Sequence, residues 1–315
     1  MMAFGRRKTL YQHRADYEGV LGTSLEIQVG SRSKTAGREV EDQVLAEIDR
    51  LEGIFSVYRA DSEFNLWQAT RSVAVPVSSE LAFVLSESEQ WRTESNGAFL
   101  PVVEALTKVW RERALGALHD KLVDLDPSQP MWEVDLPALT ATRLTEHPAS
   151  LNAIAKGFIV DRCVEVAREV ESVKQVLINI GGDLRHWGVG AAQVAVANPN
   201  DGAENSQPLC TVNLSNKAMA TSGGYRRGFT VDGQRHSHIF DPVNMKPAIN
   251  VKSVSCIAKT AMEADILATI LGVLLPEEGL AFADRNDSVG AFVVGKTGNC
   301  YQNKAWEELR TPNRT

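Results

Sequence analysis

Two side chains in the stretch TAMEADILATIL (260–271) could hold a hard cation. Asp265 and Thr269 are four residues apart, so a helix carries both on one face. A carboxylate and a hydroxyl are hard oxygen donors, suited to Mg²⁺ rather than to zinc. The other reading is a polar edge facing water on an amphipathic helix. A buried carboxylate without a partner is costly, so burial of Asp265 would demand a cation or hydrogen-bond donors. Thr260 and Glu263 match the S/T-x-x-E capping box ahead of an apolar run, which predicts a helix start at Thr260. Asp265 then lies in the second turn and is not itself the cap.

Three other stretches carry chemistry-bearing residues. In ASLNAIAKGFIVD (149–161), small residues lead to Lys156 and Gly157 at the start of a helix. A helix N-terminus beside a lysine suits an anion such as phosphate; a surface lysine at a helix start is the alternative. In NIGGDLRHWG (179–188), Gly181-Gly182-Asp183 follows a strand and reads as a tight hairpin turn. It is not a GxGxxG motif, so no dinucleotide fingerprint is assigned. In ATSGGYRRGFTVDGQRHSHIFDP (220–242), Thr221, Ser222 and two glycines form a polar turn. His236 and His238 then alternate as on one face of a strand, and Asp241-Pro242 ends it. That stretch reads either as part of a site or as a polar strand closing in a turn.

The elements that must position these residues follow from the hydrophobic spacing. GTSLEIQVG (22–30), QVLINI (175–180), QVAVA (193–197), CTVNL (210–214), VKSVSCIA (251–258) and SVGAFVVG (288–295) read as strands. Residues 39–58, 79–95, 102–115 and 156–170 read as helices, and the Thr260 helix follows the 251–258 strand. Residues 116–150 hold four prolines and read as loop with short strands. Strands and helices mix without a regular βαβ rhythm. The expected fold class is α+β, with mixed or antiparallel sheets flanked by helices on one face.

With 315 residues, 43% hydrophobic and 23% charged, the chain is long enough for a large core and typical of a folded globular protein. Its net charge of −7 is spread over both signs with no long basic run, which argues against nucleic-acid binding. No apolar stretch of about 18 residues suggests a membrane span. The N-terminal segment has basic residues without a following apolar core, so a cytoplasmic location is expected. The four cysteines, Cys163, Cys210, Cys256 and Cys300, are widely separated and form no CxxC pair, which points to reduced thiols rather than disulfides or a cysteine zinc site.

Taken in order, these pieces resemble the ApbE-type FAD:protein FMN transferases. The family's motifs correspond here to LGT (21–23), FSVYRADSEFN (55–65), GAFLP (97–101), AIAKG (153–157), INIGGDL (178–184), ATSGGYRR (220–227), HIFDP (238–242) and EADILAT (263–269). The resemblance covers about residues 20–275 and implies a single ApbE-like domain over 1–315, with room for two subdomains. It implies Mg²⁺-dependent cleavage of FAD, with FMN passed to a Thr or Ser side chain of an acceptor flavoprotein as a phosphoester and AMP released. The metal would be held by the Ala153 carbonyl, Asp265 and Thr269. FAD contacts would fall on Leu21, Tyr58, Ala98, Phe99, Leu100, Lys156 and Phe240, and His238 would serve the chemistry. Three departures stand out: DPVNMKP replaces the family's DPRTG, Leu100 stands for the Asp of GAFDP, and Ser150 stands where an Asp is expected. They keep two further readings open, an FAD pyrophosphatase giving FMN and AMP, and a non-catalytic protein that holds FAD for a partner.

Overall fold

The computed structural model describes residues 9–103, 106, 108, 110, 125–201, 207–224, 228–231, 234–237 and 239–311. Its frame is an eight-stranded sheet: β1 (Tyr11–Val20), β2 (Thr23–Ser31), β3 (Val173–Ile180), β4 (Asp183–Gly188), β5 (Ala218–Gly223), β6 (Val251–Ala258), β7 (Gly290–Gly295) and β8 (Cys300–Gln302). The strands lie side by side in chain order, and every pair is antiparallel.

Side chains alternate across this sheet, as the two-residue period of a strand requires. Leu25, Ile27 and Val29, Val176, Ile178 and Ile180, and Val254, Cys256 and Ala258 turn into the main core. Leu177, Leu184, Met219, Ile257, Phe292 and Val294 turn the other way. The main-core face is covered by helices α1 (Ala36–Phe55), α3 (Ala155–Glu169) and α4 (Ala261–Val273). The opposite face is not bare, as a one-sided cover would leave it. A ribbon of Ala192–Val196 against Cys210–Leu214 and the short helix Lys304–Leu309, with Trp306 fully buried, close a second cluster there.

In α1 the buried residues Val40, Val44, Ile48, Leu51 and Phe55 recur every three or four positions, the stripe that a sheet-packed helix presents. α4 differs: all but two of its thirteen residues are buried, so it is apolar on every side. Helix α2 (Ser79–Glu94) packs against a three-stranded sheet of Ala74–Pro76, Thr140–Arg143 and Trp132–Asp135, with Thr140–Arg143 in the middle. Trp132 anchors this layer edge-on to Trp67 at 5.5 Å between ring centres.

The helix expected over 102–115 lies mostly outside the described residues, though positions 106, 108 and 110 are helical. β1, β4 and β5 carry too many polar or small residues to stand out by hydrophobic spacing. All four cysteines are free thiols. Among the described residues no helix is long and apolar enough to cross a membrane.

Candidate active site

The site is built from two helix starts and one hairpin turn. Between β3 and β4 the chain reverses through Gly181 (φ 63°) and Gly182 (φ 103°), with Ile180 paired to Asp183. Positive φ at both central residues is the two-residue hairpin geometry for which glycine is favoured. The β1–β2 turn, which contains Leu21 (φ 50°), lies against it: the Gly181 N–H donates to the Ser24 carbonyl at 3.0 Å, and a Cβ on Gly181 would come within 2.6 Å of Thr23 Oγ1. The LGT and GGD stretches thus share one corner of the sheet.

Helices α3 and α4 meet at their N-terminal turns. A Cβ on Gly157 would stand 2.5 Å from the Ala261 carbonyl oxygen and 2.6 Å from Met262 Cα, so only glycine permits this approach. Each helix supplies a carboxylate to the other's free N–H groups. Asp161 of α3 accepts from the Ala261 N–H at 2.8 Å and the Met262 N–H at 2.9 Å. Asp265 of α4 accepts from the Gly157 N–H. Such N-terminal donors have no partner within their own helix, and the positive end of the helix dipole favours the charge. Arg185 on β4 joins Asp161 at 2.9 Å and ties the helix pair to the sheet. Burial pushes the Asp161 carboxyl above its usual range, and Arg185 and the two N–H groups pull it back.

The Thr260 hydroxyl caps α4 by accepting from the Glu263 N–H at 3.2 Å, as the capping box predicts. Glu263 departs from the box: its carboxylate takes the Lys259 N–H and Asn286 instead. Asp265 is 6% exposed, which rules out the reading of it as a solvent-facing polar edge. Its Oδ2 is fully enclosed and has no hydrogen-bond partner among the described residues. Lys156 Nζ stands 3.7 Å away, within ion-pair range but beyond a hydrogen bond, and itself pairs with Asp183. Asp183 is 2% exposed. Burial and then the like charge of Asp183 raise the Asp265 carboxyl to about 7, against the pull of Lys156. Among the described residues, these two enclosed carboxylates share one ammonium.

The other residues predicted for the site divide into groups. Thr269 lies one turn beyond Asp265 and is half-buried. Ala153 is half-buried just before α3; the first carbonyl used inside that helix is that of Ile154, bonded to the Phe158 N–H at 3.1 Å. Ala98, Phe99 and Leu100 are buried at 4%, 2% and 5% exposure. Leu100 sits in the main core, where an aspartate would have to be paired, so this departure from the motif is matched by its surroundings. Ser150 donates its N–H to the Pro101 carbonyl at 2.8 Å, which brings the two altered positions into one loop contact. Phe240 is buried, its ring centre 6.3 Å from that of Trp110. Tyr58 is 88% exposed and stands away from the core. His238 lies outside the described residues, and of His236 only the backbone is described, in a strand pairing it with Phe229.

Asp183 and Asp161 are the residues that sequence reasoning missed. Asp183 disappears into the hairpin reading of the two glycines before it. Asp161 reads as a polar position on an amphipathic helix, although its place four residues after Gly157, on the same face, was a usable signal. A separate cavity of about 360 Å³ lies on another face of α4, lined by Trp91, Glu263, Leu267, Phe282 and Arg285 among others. None of the three clustered side chains lines it.

An antiparallel sheet thus carries two helix starts and a hairpin turn that bring two enclosed carboxylates and a lysine together. The family model described as the ApbE family matches residues 21–293, and the chain belongs to that family. Relatives named FAD:protein FMN transferase include that of Escherichia coli strain K12, 25% identical over 310 residues (91% of this chain and 84% of that one). The Treponema pallidum protein of the same name is 29% identical over 316 residues (92% and 86%). Among solved structures, the ApbE protein of Thermotoga maritima superposes with a TM-score of 0.80 at 23% identity, covering 96% of this chain and 99% of that one. Apo Pseudomonas stutzeri flavinyl transferase ApbE gives 0.78 at 24% identity, covering 98% of each. These two likenesses establish the shared α+β fold.

Proposed function

We propose that this protein is a flavin transferase that moves the FMN part of FAD onto a Thr or Ser hydroxyl of an acceptor flavoprotein, with Mg²⁺ as its metal and AMP as the second product. Family membership and the names of the relatives support flavin transfer in general. The observation that carries the finer reading is the enclosed Oδ2 of Asp265, without a hydrogen bond among the described residues, beside Lys156 and Asp183. A carboxylate held near neutrality by burial and a neighbouring like charge is relieved by a small hard cation. The donor chemistry therefore fits Mg²⁺, with Asp265, Thr269 and the Ala153 carbonyl as the residues that would hold it. Bound there, Mg²⁺ would neutralise charge on the phosphates.

The chain's own groups do the rest. Lys156, one-third exposed and seated at the start of α3, presents a point charge to a phosphate oxygen. The acceptor oxygen attacks the phosphorus on the flavin side, the bond to the AMP phosphate breaks, and the hydroxyl proton leaves. His238 would take or orient that proton, a role suited to a group titrating near neutrality. Leu21, Tyr58, Ala98, Phe99, Leu100 and Phe240 would contact FAD, and the chain would act as one catalytic domain.

The test is incubation with FAD and Mg²⁺, with and without a threonine-bearing acceptor flavoprotein, followed by a denaturing gel under ultraviolet light and assay of AMP. Transfer predicts a fluorescent acceptor band with AMP, both lost on chelation of Mg²⁺. AMP and free FMN with no labelled protein would replace transfer by hydrolysis. Bound FAD with neither product would reduce the protein to a flavin holder.

A further inference from the structure

Asp183 has no work to do in the hairpin where it sits. The turn needs Gly181 and Gly182 for their positive φ, and the Asp183 backbone pairs with Ile180. Yet its carboxylate is enclosed at 3% side-chain exposure and pairs with Lys156. Lys156 is the one residue of this cluster that reaches both acids, and its ammonium leans to Asp183, with Asp265 Oδ2 at 3.7 Å, beyond ordinary hydrogen-bond length. Asp265 is also fixed from behind by the Gly157 N–H and by its place within α4, so of the three groups the flexible lysine is the one able to move.

We propose that Asp183 is a positioning residue: by holding the Lys156 ammonium it keeps the outer oxygen of Asp265 open to the cation and the lysine aimed at the phosphates. Without the charge of Asp183, the ammonium closes the remaining gap onto Asp265. An ammonium beside an enclosed carboxylate pairs with it, because leaving the carboxylate alone in the interior is costly. An incoming cation then has to displace the lysine. This inference rests on the proposed reading of Asp265 as a cation ligand. It differs from a role for Asp183 as a ligand or as plain negative charge, since either of those would act whether or not the lysine is present.

The two roles separate in a cycle of variants titrated with MgCl₂ by calorimetry, on the full chain without FAD, with thermal melting to confirm folding. Asp183→Asn should weaken Mg²⁺ binding about tenfold, or about 1.4 kcal/mol. In a chain that also carries Lys156→Met, adding Asp183→Asn should change binding by no more than about threefold, because no ammonium remains to collapse. That second comparison leaves no unpaired ammonium, so it stands even if Asp183→Asn alone does not fold. An undiminished tenfold loss in the presence of Lys156→Met overturns the positioning role and leaves the cation site intact. Mg²⁺ binding that survives Asp265→Asn overturns the cation site itself, and this inference with it.

Discussion

Gly157 shows how closely single residues are specified here. It is the point of contact between α3 and α4, and any side chain would enter the backbone of Ala261 and Met262. Its N–H is also a donor to Asp265. Gly157→Ala is expected to push the helices apart and cost about 1–3 kcal/mol, seen as a lowered melting temperature, together with weaker Mg²⁺ binding. At this scale the sequence was partly legible. The spacing of Asp265 and Thr269 and the Thr260 cap located a helix with a carboxylate inside it. Burial turned the polar-edge alternative aside, because a helix buried on all sides has no edge to offer. Asp183 was not legible, since its partner Lys156 is 27 residues away and only the fold joins them. His238, whose role came from the family resemblance, lies outside the described residues.

Between elements, the decisive feature is the exchange of carboxylates between two helix starts. Asp161 satisfies α4, Asp265 satisfies α3, and Arg185 locks the arrangement to β4. Asp161→Asn loses an acceptor against three donors and leaves Arg185 only its 3.3 Å pairing with Glu165. The expected cost is about 3 kcal/mol by urea denaturation, in line with the breaking of a buried ion pair. β4 carries a second dependence. His186 is buried, and its Nδ1 accepts from the Asn216 N–H at 3.3 Å, so the folded state requires a neutral ring. Burial lowers its folded pKa below the ordinary 6.5. Below pH 6.5 the unfolded chain therefore binds more protons at this position, and its contribution to stability falls as pH drops toward the folded value. The wild type should lose up to about 1 kcal/mol relative to His186→Gln between pH 7.5 and 5.5. Equal losses in both proteins would remove His186 from the account. The helices and apolar strands were legible because their periodicity is a local signal. β4 and β5 were not, because their polar and small residues are buried by neighbouring strands rather than by pattern.

For the whole molecule, an antiparallel sheet in chain order brings segments far apart in sequence to one corner. Residues near 21, 156, 183 and 265 gather there because β2, β3 and β4 are neighbours, α3 packs on β3 and β4, and α4 packs against α3 and over β5 and β6. The α+β class could be read from the mixture of periods, but the second cluster around Trp306 could not, since its ribbon and short helix each bury too little to announce a layer. The departures at Leu100 and Ser150 lie in contacting loops, with Leu100 absorbed into the core, while the acid–lysine cluster is kept. The account therefore stands on that cluster driving FAD cleavage coupled to transfer. Its most direct test is to measure AMP released and flavin covalently bound to a threonine-bearing acceptor, with FAD and Mg²⁺, for the wild type and Asp265→Asn. The account predicts AMP and bound flavin in equal amounts from the wild type, and a fall of about a hundredfold or more in both for Asp265→Asn. Full activity of Asp265→Asn, or AMP without bound flavin in the wild type, would contradict it.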